Sequence, residues 1–561
     1  MWTLGISASH NGAAALLRNG KVEVAIQGER LSRIKRQDLY IHEASPALRD
    51  CVHYCLEARG LEVSDLDAAA ATTPWQHVAF DFRRAMGELS RSQAENIQTF
   101  TVPHHLAHAE YALHYTQSER AVILVIDGSG TFEHTRADLT LREAEAPDAV
   151  KFAPARCKES ISAYRYDGDG LSLIYRTAYP IGDDLRWASM RDHPSIGHVW
   201  EWASRYIFQD DSEAGKVMGL AGFGDAAEHD GVRLIELMED GQVDVRFDRL
   251  KALLTRPNTS GIAAESDAHY CALAALVQAE TNRFLIALAE FLHARAPADD
   301  LCYAGGVALN GIANEHLIRN GPFANVFQNG SCEDNGTAIG AALAAHHAVT
   351  GERPREPVND FYGRTYSDEE IASALGRFGV THERLNEEAL VSEAADAIAA
   401  GNVVGWFQGG SEFGPRALGH RNILADARSD AIKPVLDSKV KRREPYRPYA
   451  PAVIEEAAQE FFDIKGVSPV MIRVGWAKDD RLPAVTHVDR TARVQTVNQE
   501  HDPRFHGLLS ALGARTGVPV ALSTSYNMAG EPIVETPEDA LRTYLSSGMD
   551  ALYIGDYATR R

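Results

Sequence analysis

Two histidines and two aspartates pose the first question about this chain of 561 residues: His104 and His108 in PHHLAHAEY, Asp127 in VIDGSG and Asp334 in CEDNGTAIG. The histidines stand four apart in an alanine-rich stretch, a spacing that puts both imidazoles on one face of a helix. Each aspartate sits where an apolar run breaks into glycine. Two imidazoles and two carboxylates make a donor set for iron, manganese or zinc in preference to calcium or magnesium, because nitrogen donors favour the transition metals. Taken alone, HxxxH is more often a packing or surface pattern than a metal site, and it lacks the glutamate that a zinc peptidase carries after its first histidine. The neighbourhood favours the metal. LVIDGSG reads as a buried strand ending in a carboxylate and a glycine-rich turn, the edge at which open α/β sheets present ligands.

A second constellation is basic. Between Arg416 and Arg447 lie nine Lys and Arg (416, 421, 428, 433, 439, 441, 442, 443 and 447) against four acids, in a chain whose formal net charge is −22. Such a local reversal suits a small anionic ligand, although a solvated basic face would read the same way. The overall charge argues against duplex nucleic acid as a partner, since phosphate binding needs clustered cations.

These residues need elements to hold them. Residues 1–30 read as strand, turn, strand, with Asn19-Gly20 between apolar runs as the hairpin signal. AVILVIDGSG followed by the alternating run HTRADLTLREAE opens a second unit of the same design, which predicts two related halves as in the actin and sugar-kinase type of ATPase. Residues 265–296 are apolar at helical spacing and predict a long buried helix or helix pair. LCYAGGVALN and VFQNGSCEDNG each end a strand in a loop before a helix, the arrangement that aims backbone N–H groups at a nucleotide. Pro, Gly and charge interrupt the pattern at 351–366, so a boundary is expected at about 355–365, and Ser367 with Glu370 has capping-box spacing for a new helix. Thr536-Pro537-Glu538-Asp539 predicts another helix start.

Composition, 45% hydrophobic and 24% charged, is that of a soluble globular protein of two or more domains. No apolar run approaches the ~20 residues of a membrane helix. The start shows no export signal, and six irregularly spaced cysteines fit a reduced, cytoplasmic protein. Cys51 and Cys55 read as one face of a core helix.

Ten motifs in order, GISASHNGAAALL, HHLAHA, IDGSG, GKVMGLAGFG, GGVALN, EDNGTAIG, GPRALGHR, VKRREPYRPYAP, HVDRTARVQTV and STSYNMAGEPIV, resemble the NodU/TobZ O-carbamoyltransferases over nearly the whole chain. The resemblance implies an α/β protein. Residues 1–355 would be a duplicated domain of the actin-like ATPase fold, similar to TsaD, and 363–561 a YrdC-like α/β twisted-sheet domain. It implies two reactions: carbamoyl phosphate and ATP, with magnesium, give a carbamoyl-adenylate in the second domain, and the first transfers the carbamoyl group to a hydroxyl of a small, natural-product acceptor, as in antibiotic biosynthesis. The family's metal ligands map onto His104, His108, Asp127 and Asp334, with iron the first choice. Gly305, Gly306 and Asn310 would contact adenosine, and Lys216, Gly219 and Asp225 would join them in binding the nucleotide. Planar guanidiniums bind phosphate bidentately, which makes Arg416, Arg443, Arg447 and Arg493, with Lys441, the candidates for the polyanions, and Ser525 and Asn527 the neutral donors. Pairing of Arg443 and Arg447 to Glu444 or other surface acids, and a self-bonded turn at Ser525–Asn527, are the competing readings. His10, after the first strand, is the candidate general base, because imidazole titrates near neutrality; a structural histidine is the rival.

Three positions depart from the family pattern. His10-Asn11 stands where His-Asp is common, removing a carboxylate that could orient the imidazole. Ser523 replaces the first residue of a usual NTSFN, and Lys35-Arg36 stands near a usual histidine, so neither is given a role. Residues 157–200, rich in Tyr, Arg, Trp and Asp, are expected as loops facing the acceptor, or equally a homodimer interface. A tRNA threonylcarbamoylation enzyme and a non-catalytic nucleotide-binding regulator are the alternative functions; the acidic surface counts against the former, retention of both ligand sets against the latter. A hydrogenase-maturation enzyme would need paired CxxC motifs that the sequence lacks.

Overall fold

The computed structural model describes residues 1–41, 45–74, 80–86, 96–130, 157–168, 170–180, 195–255, 258 and 263–561. It falls into two units, Met1–Gly28 with Arg36–Val358, and Glu29–Lys35 with Asn359–Arg561.

In the first unit β1 (Trp2–Ser7), β2 (Ala13–Arg18) and β3 (Lys21–Gln27) form an antiparallel meander. β4 (Ala68–Thr72) and β5 (Gln98–Thr101) join in parallel beyond β1, giving the order β3-β2-β1-β4-β5. Asn19 and Gly20 adopt φ of 51° and 73°, the tight turn their pairing predicts. The pattern then repeats. β6 (Ala121–Ile126), β7 (Cys157–Tyr166) and β8 (Leu171–Pro180) form a second meander; after a small ribbon of β9 (Ile235–Leu237) and β10 (Val243–Val245), β11 (Asp300–Ala304) and β12 (Asn325–Phe327) add in parallel, in the order β12-β11-β6-β7-β8. The two sheets share one topology, as the two similar openings in the sequence lead one to expect. The run at 134–145 lies outside the described residues, and the edges of β6 are taken instead by β7 and β11.

β6 shows why its sequence is apolar throughout. Val122, Leu124 and Ile126 enter one core cluster while Ala121, Ile123 and Val125 enter another, so both faces are covered. The predicted long helix is a single one, Ala268–Arg295. Contrary to the sequence expectation, its length and composition would allow a membrane span. It is mostly buried, with Leu273, Val277, Phe284 and Leu288 in the larger core cluster, and so serves as a core helix. Cys51 and Cys55 both point inward from the helix Pro46–Glu57.

Two helices matter most for function. His104–His114 follows β5 and Thr337–Thr350 follows β12, equivalent places in the two halves, and they pack against each other. Gly340 permits the approach, since a Cβ there would lie 1.8 Å from the Ala107 carbonyl oxygen.

The second unit is an eight-stranded mixed sheet. Its strands are β13 (Glu383–Arg384), β14 (Val404–Phe407), β15 (Arg421–Asp426), β16 (Ala450–Ile454), β20 (Gln495–Val497), β21 (Val520–Ser525), β22 (Ala551–Ile554) and β23 (Tyr557–Arg560), in the order β13-β23-β22-β14-β15-β21-β16-β20. A small sheet of β17 (Phe462–Asp463), β18 (Gly475–Ala477) and β19 (Thr491–Ala492) accompanies it. Side chains alternate across β14: Val404 and Trp406 pack with the helices Glu387–Ala399 and Pro503–Thr516, while Phe407 packs with Asp368–Arg377 and Pro537–Ser546. Ser367 with Glu370, and Thr536 with Asp539, form the capping boxes that start two of these helices.

Candidate metal centre and anion site

The paired helices and the end of β6 bring the four predicted ligands together. His104 and His108 project from one helix face, Asp127 follows β6, and Asp334 lies in the short turn that leads into Thr337–Thr350. One donor atom from each lies within 4.8 Å of the others, and all four residues are buried. His104 Nε2 stands 3.5 Å from Asp127 Oδ2 and 3.3 Å from Asp334 Oδ1, and His108 Nε2 3.8 Å from the same Asp334 oxygen. Both ring nitrogens of His108 are buried without a hydrogen bond. Four converging donors of mixed N and O type, some unsatisfied, fit a transition-metal ion.

The charges there are strongly coupled. Burial alone would strip the proton from His104, but Asp334 and Asp127 more than offset it and raise the imidazole to about 10. Burial opposes ionisation of Asp334 as well, yet His104 and His10 hold its carboxyl well below the usual range.

His10 lies beside this centre, half-exposed, with Nδ1 3.4 Å from Asp334 Oδ2. The carboxylate missing at position 11 is thus replaced in space by Asp334, while Asn11 is buried and accepts a hydrogen bond from Gln27. Gly306 N–H donates to Asp127 Oδ1 over 3.1 Å, which ties the β11 loop to the centre. Gly305 has φ of 96° and lies against Ile126, where any side chain would clash. Asn310 is engaged structurally, its side chain capping Gly311–Asn320 and donating to Gln278. Lys216 pairs with Glu213 at 3.2 Å, Gly219 lies within the helix Ala214–Ala221, and Asp225 caps a short turn through Ala227 N–H. No described contact joins these three to the metal cluster.

The 157–200 region is corrected by the structure. Residues 157–166 and 171–180 are not loops but the β7–β8 hairpin, and Ile196–Phe208 is a helix; 181–194 lie outside the described residues. That hairpin supplies a residue that sequence reasoning missed. Lys158 on β7 is fully buried and donates to Ser129 Oγ over 2.8 Å. Burial pulls its ammonium down to about 7 against the pull of Asp127 and Asp334.

In the second unit the cations gather from separate strand ends. Arg416 lies between β14 and β15, Lys441 to Arg447 precede β16, Arg493 lies between β19 and β20, and Ser525 ends β21. Arg493 is half-buried among like charges. Burial, then Arg416, Arg443 and Arg447, depress its guanidinium far below its usual value, and its Nε has no hydrogen bond. Lys441 donates to the Ser525 carbonyl over 2.8 Å, to Ser525 Oγ over 3.2 Å and to the Asn527 carbonyl over 3.1 Å. Burial, Arg443, Arg447 and Lys35 depress its ammonium. Ser525 and Asn527 are also bonded to each other, so the turn and the cation-facing role coexist. Both arginines do have acidic partners, Arg447 at 3.7 Å from Glu444 and Arg443 at 3.5 Å from Asp437, and Arg443 also lies 3.9 Å from the Tyr449 ring centre. Lys35, left without a role by its sequence, joins this cluster because Glu29–Lys35 is part of the second unit; Arg30 and Arg33 fix the segment to the carbonyls of Gly414, Pro532 and Ile533. The basic run ERLSRIKRQ was the available signal.

Comparison with known proteins decides the family. Residues 2–343 match the carbamoyltransferase N-terminus and residues 395–561 the carbamoyltransferase C-terminus. The chain belongs to the carbamoyltransferases. It is an enzyme that transfers carbamoyl groups. The chain is 32% identical over 585 residues to the nodulation protein NolNO of Sinorhizobium fredii, covering 98% of this carbamoyltransferase and 79% of that protein. It is 32% identical to the 3'-hydroxymethylcephem-O-carbamoyltransferase of Amycolatopsis lactamdurans, over 62% of this chain and 65% of the other. Among solved structures, full-length HypF in its phosphate- and nucleotide-bound form is similar over 63% of this chain and 56% of its own, at 13% identity and a TM-score of 0.39.

Proposed function

We propose that this carbamoyltransferase is an ATP-dependent O-carbamoyltransferase working in two steps. In the second unit, read as YrdC-like, water and carbamoyl phosphate give carbamate and inorganic phosphate. A carbamate oxygen then attacks the α-phosphorus of magnesium ATP, releasing pyrophosphate and forming carbamoyl-adenylate. The observation that carries this step is the crowding of Arg416, Arg443 and Arg447 about the half-buried Arg493, with Lys441 and Lys35 beside them. Like charges so placed repel, and a phosphate-rich ligand relieves the repulsion.

In the first unit, whose duplicated sheets support the actin-like, TsaD-like reading, an acceptor hydroxyl attacks the carbamoyl carbon. Its proton passes to His10, AMP leaves, and a carbamate ester is the product. Asp334 Oδ2 orients His10 and favours the imidazolium that forms. Gly305 and Gly306 bring backbone close to the adenosine. A transition metal held by His104, His108, Asp127 and Asp334, iron in the first instance, would supply Lewis acidity to the reacting phosphoryl or hydroxyl oxygen. The similarity to an O-carbamoyltransferase acting on 3'-hydroxymethylcephem supports a hydroxylated natural product as acceptor.

The test uses the full chain with carbamoyl phosphate, magnesium ATP and ferrous, manganous or zinc ion. Pyrophosphate release dependent on carbamoyl phosphate, with a carbamoylated adenylate among the products, is expected. Neither product under any metal overturns the reading. Asp334→Ala should keep pyrophosphate release and lose transfer to a panel of polyhydroxylated acceptors; equal loss of both steps refutes the division of labour.

A further inference from the structure

The loop between β14 and β15 is closed on itself by its own acid. Glu412 is buried, and one carboxylate oxygen, Oε1, accepts from three backbone amides: Leu418 over 2.7 Å, His420 over 2.8 Å and Arg421 over 3.0 Å. Arg416 lies inside the turn so formed. The chain that precedes it is fixed as well, since Phe413 N–H donates to the Asp360 carbonyl over 2.6 Å and the Gly414 carbonyl accepts from Arg30 over 2.8 Å. Beyond it, the Leu418 carbonyl accepts from Gln495, and the His420 ring donates through Nδ1 to the Gly410 carbonyl over 2.6 Å. The backbone that carries Arg416 is therefore held on both sides.

A neutral oxygen could gather the same amides, but bonds to an ionised one are roughly twice as strong. The charge has a cost. Burial, and after it the Glu412 charge, push the Asp360 carboxyl up to about 7, and neither Asp360 oxygen has a hydrogen bond among the described residues. Burial raises Asp502 as well, with His420 opposing and Glu412 adding to it. A carboxylate is thus kept where two other acids resist it. Such a local conflict is expected where a sequence serves a site rather than stability alone. The site it serves is the anion cluster, because Arg416 is the first of the cations that depress Arg493.

We propose that Glu412 is the positioning residue of Arg416: by gathering the amides of Leu418, His420 and Arg421 it sets the loop that presents the Arg416 guanidinium to a substrate phosphoryl group. This deepens the reading of the second unit as the place where carbamoyl-adenylate is formed, and rests on it. Glu412 itself touches no substrate. Bidentate binding depends on the direction of the guanidinium plane, so a small rotation of the turn weakens both hydrogen bonds at once.

Calorimetric titration of the full chain with two non-reacting probes tests this. One is phosphonoacetamide, in which a methylene replaces the bridging oxygen of carbamoyl phosphate; the other is magnesium α,β-methylene-ATP. Arg416→Met shows which probe depends on that guanidinium. Glu412→Gln, which keeps the size and removes the charge, is expected to weaken whichever probe Arg416→Met weakens, by on the order of tenfold, and to spare any that it spares. In the Arg416→Met background it should change neither by more than about twofold, because nothing is left to position. Factors that multiply in the double variant, or a pattern unlike that of Arg416→Met, make Glu412 merely structural and overturn the proposal. Glu412→Asp keeps the charge but shortens the reach; it should show the same pattern in smaller measure, and it carries the test if Glu412→Gln does not fold. A wild type that binds neither probe, or an Arg416→Met that weakens neither, defeats the underlying reading. Binding that depends on Arg416 while Glu412→Gln is indifferent defeats this inference alone.

Discussion

Metal binding to the first unit should expel a proton from His104. In the metal-free protein Nε2 of this imidazole faces Asp334 at 3.3 Å and Asp127 at 3.5 Å, and the ring is raised to about 10 despite its burial. An imidazole in water titrates near about 6.5, so the folded protein holds a proton that the unfolded chain has lost at mildly alkaline pH. A metal needs that nitrogen as a neutral donor and must displace the proton. Each unit of pH below about 10 then weakens the metal by roughly tenfold, or about 1.4 kcal/mol. Raising the pH from about 7 to about 8.5 is expected to tighten Kd by about thirtyfold, with about one proton released per ion. Calorimetry in two buffers of different ionisation enthalpy counts that proton directly. The stability of the metal-free protein should run the other way. Its contribution from His104 is complete below about 6.5 and disappears as pH climbs through about 10, so the metal-free protein weakens over the range in which metal binding strengthens. A Kd that stays flat across this range, with no proton released, refutes the reasoning, for it would mean that the two carboxylates do not hold His104 charged.

Two further outcomes test the frame around the sites. Arg493→Met removes a half-buried charge whose named neighbours are all cations, so the melting temperature should hold or rise while pyrophosphate release falls by on the order of a hundredfold; a lower melting temperature with activity retained would show that Arg493 stabilises the fold and binds no anion. Gly340→Ala places a methyl group 1.8 Å from the Ala107 carbonyl oxygen and should cost about 1–3 kcal/mol in urea unfolding, with weaker metal binding as Asp334 shifts away from His104 and His108; unchanged stability and affinity would mean that the helix contact does not set the site.

Much of the site is legible in the sequence because its chemistry is written in residue type and short spacing. HxxxH fixes both imidazoles on one helical face whatever that helix packs against, and a carboxylate at the glycine-rich end of an apolar strand is placed by strand and loop alone. The hairpin at Asn19-Gly20 and the capping boxes at Ser367 and Thr536 are local in the same sense, since each is decided within a few residues. The β7–β8 hairpin reads wrongly as loop because its aromatic and charged residues suggest a ligand surface, while the pairing with β6 that makes it a strand is a long-range event.

Tertiary structure decided the rest. Asp334 supplies the carboxylate beside His10 that the neighbouring Asn11 cannot, from 324 positions further along the chain, because Thr337–Thr350 packs on β1. Lys35 belongs with Lys441, and Lys158 with Ser129, for the same reason: the energy of these placements lies in sheet pairing and core packing between distant segments. The sequence by itself determined which groups could hold a metal or a phosphate, since that follows from side-chain chemistry and local backbone geometry. Which of them meet, and which are engaged in capping a helix as Asn310 is, was settled only when the sheets closed around them.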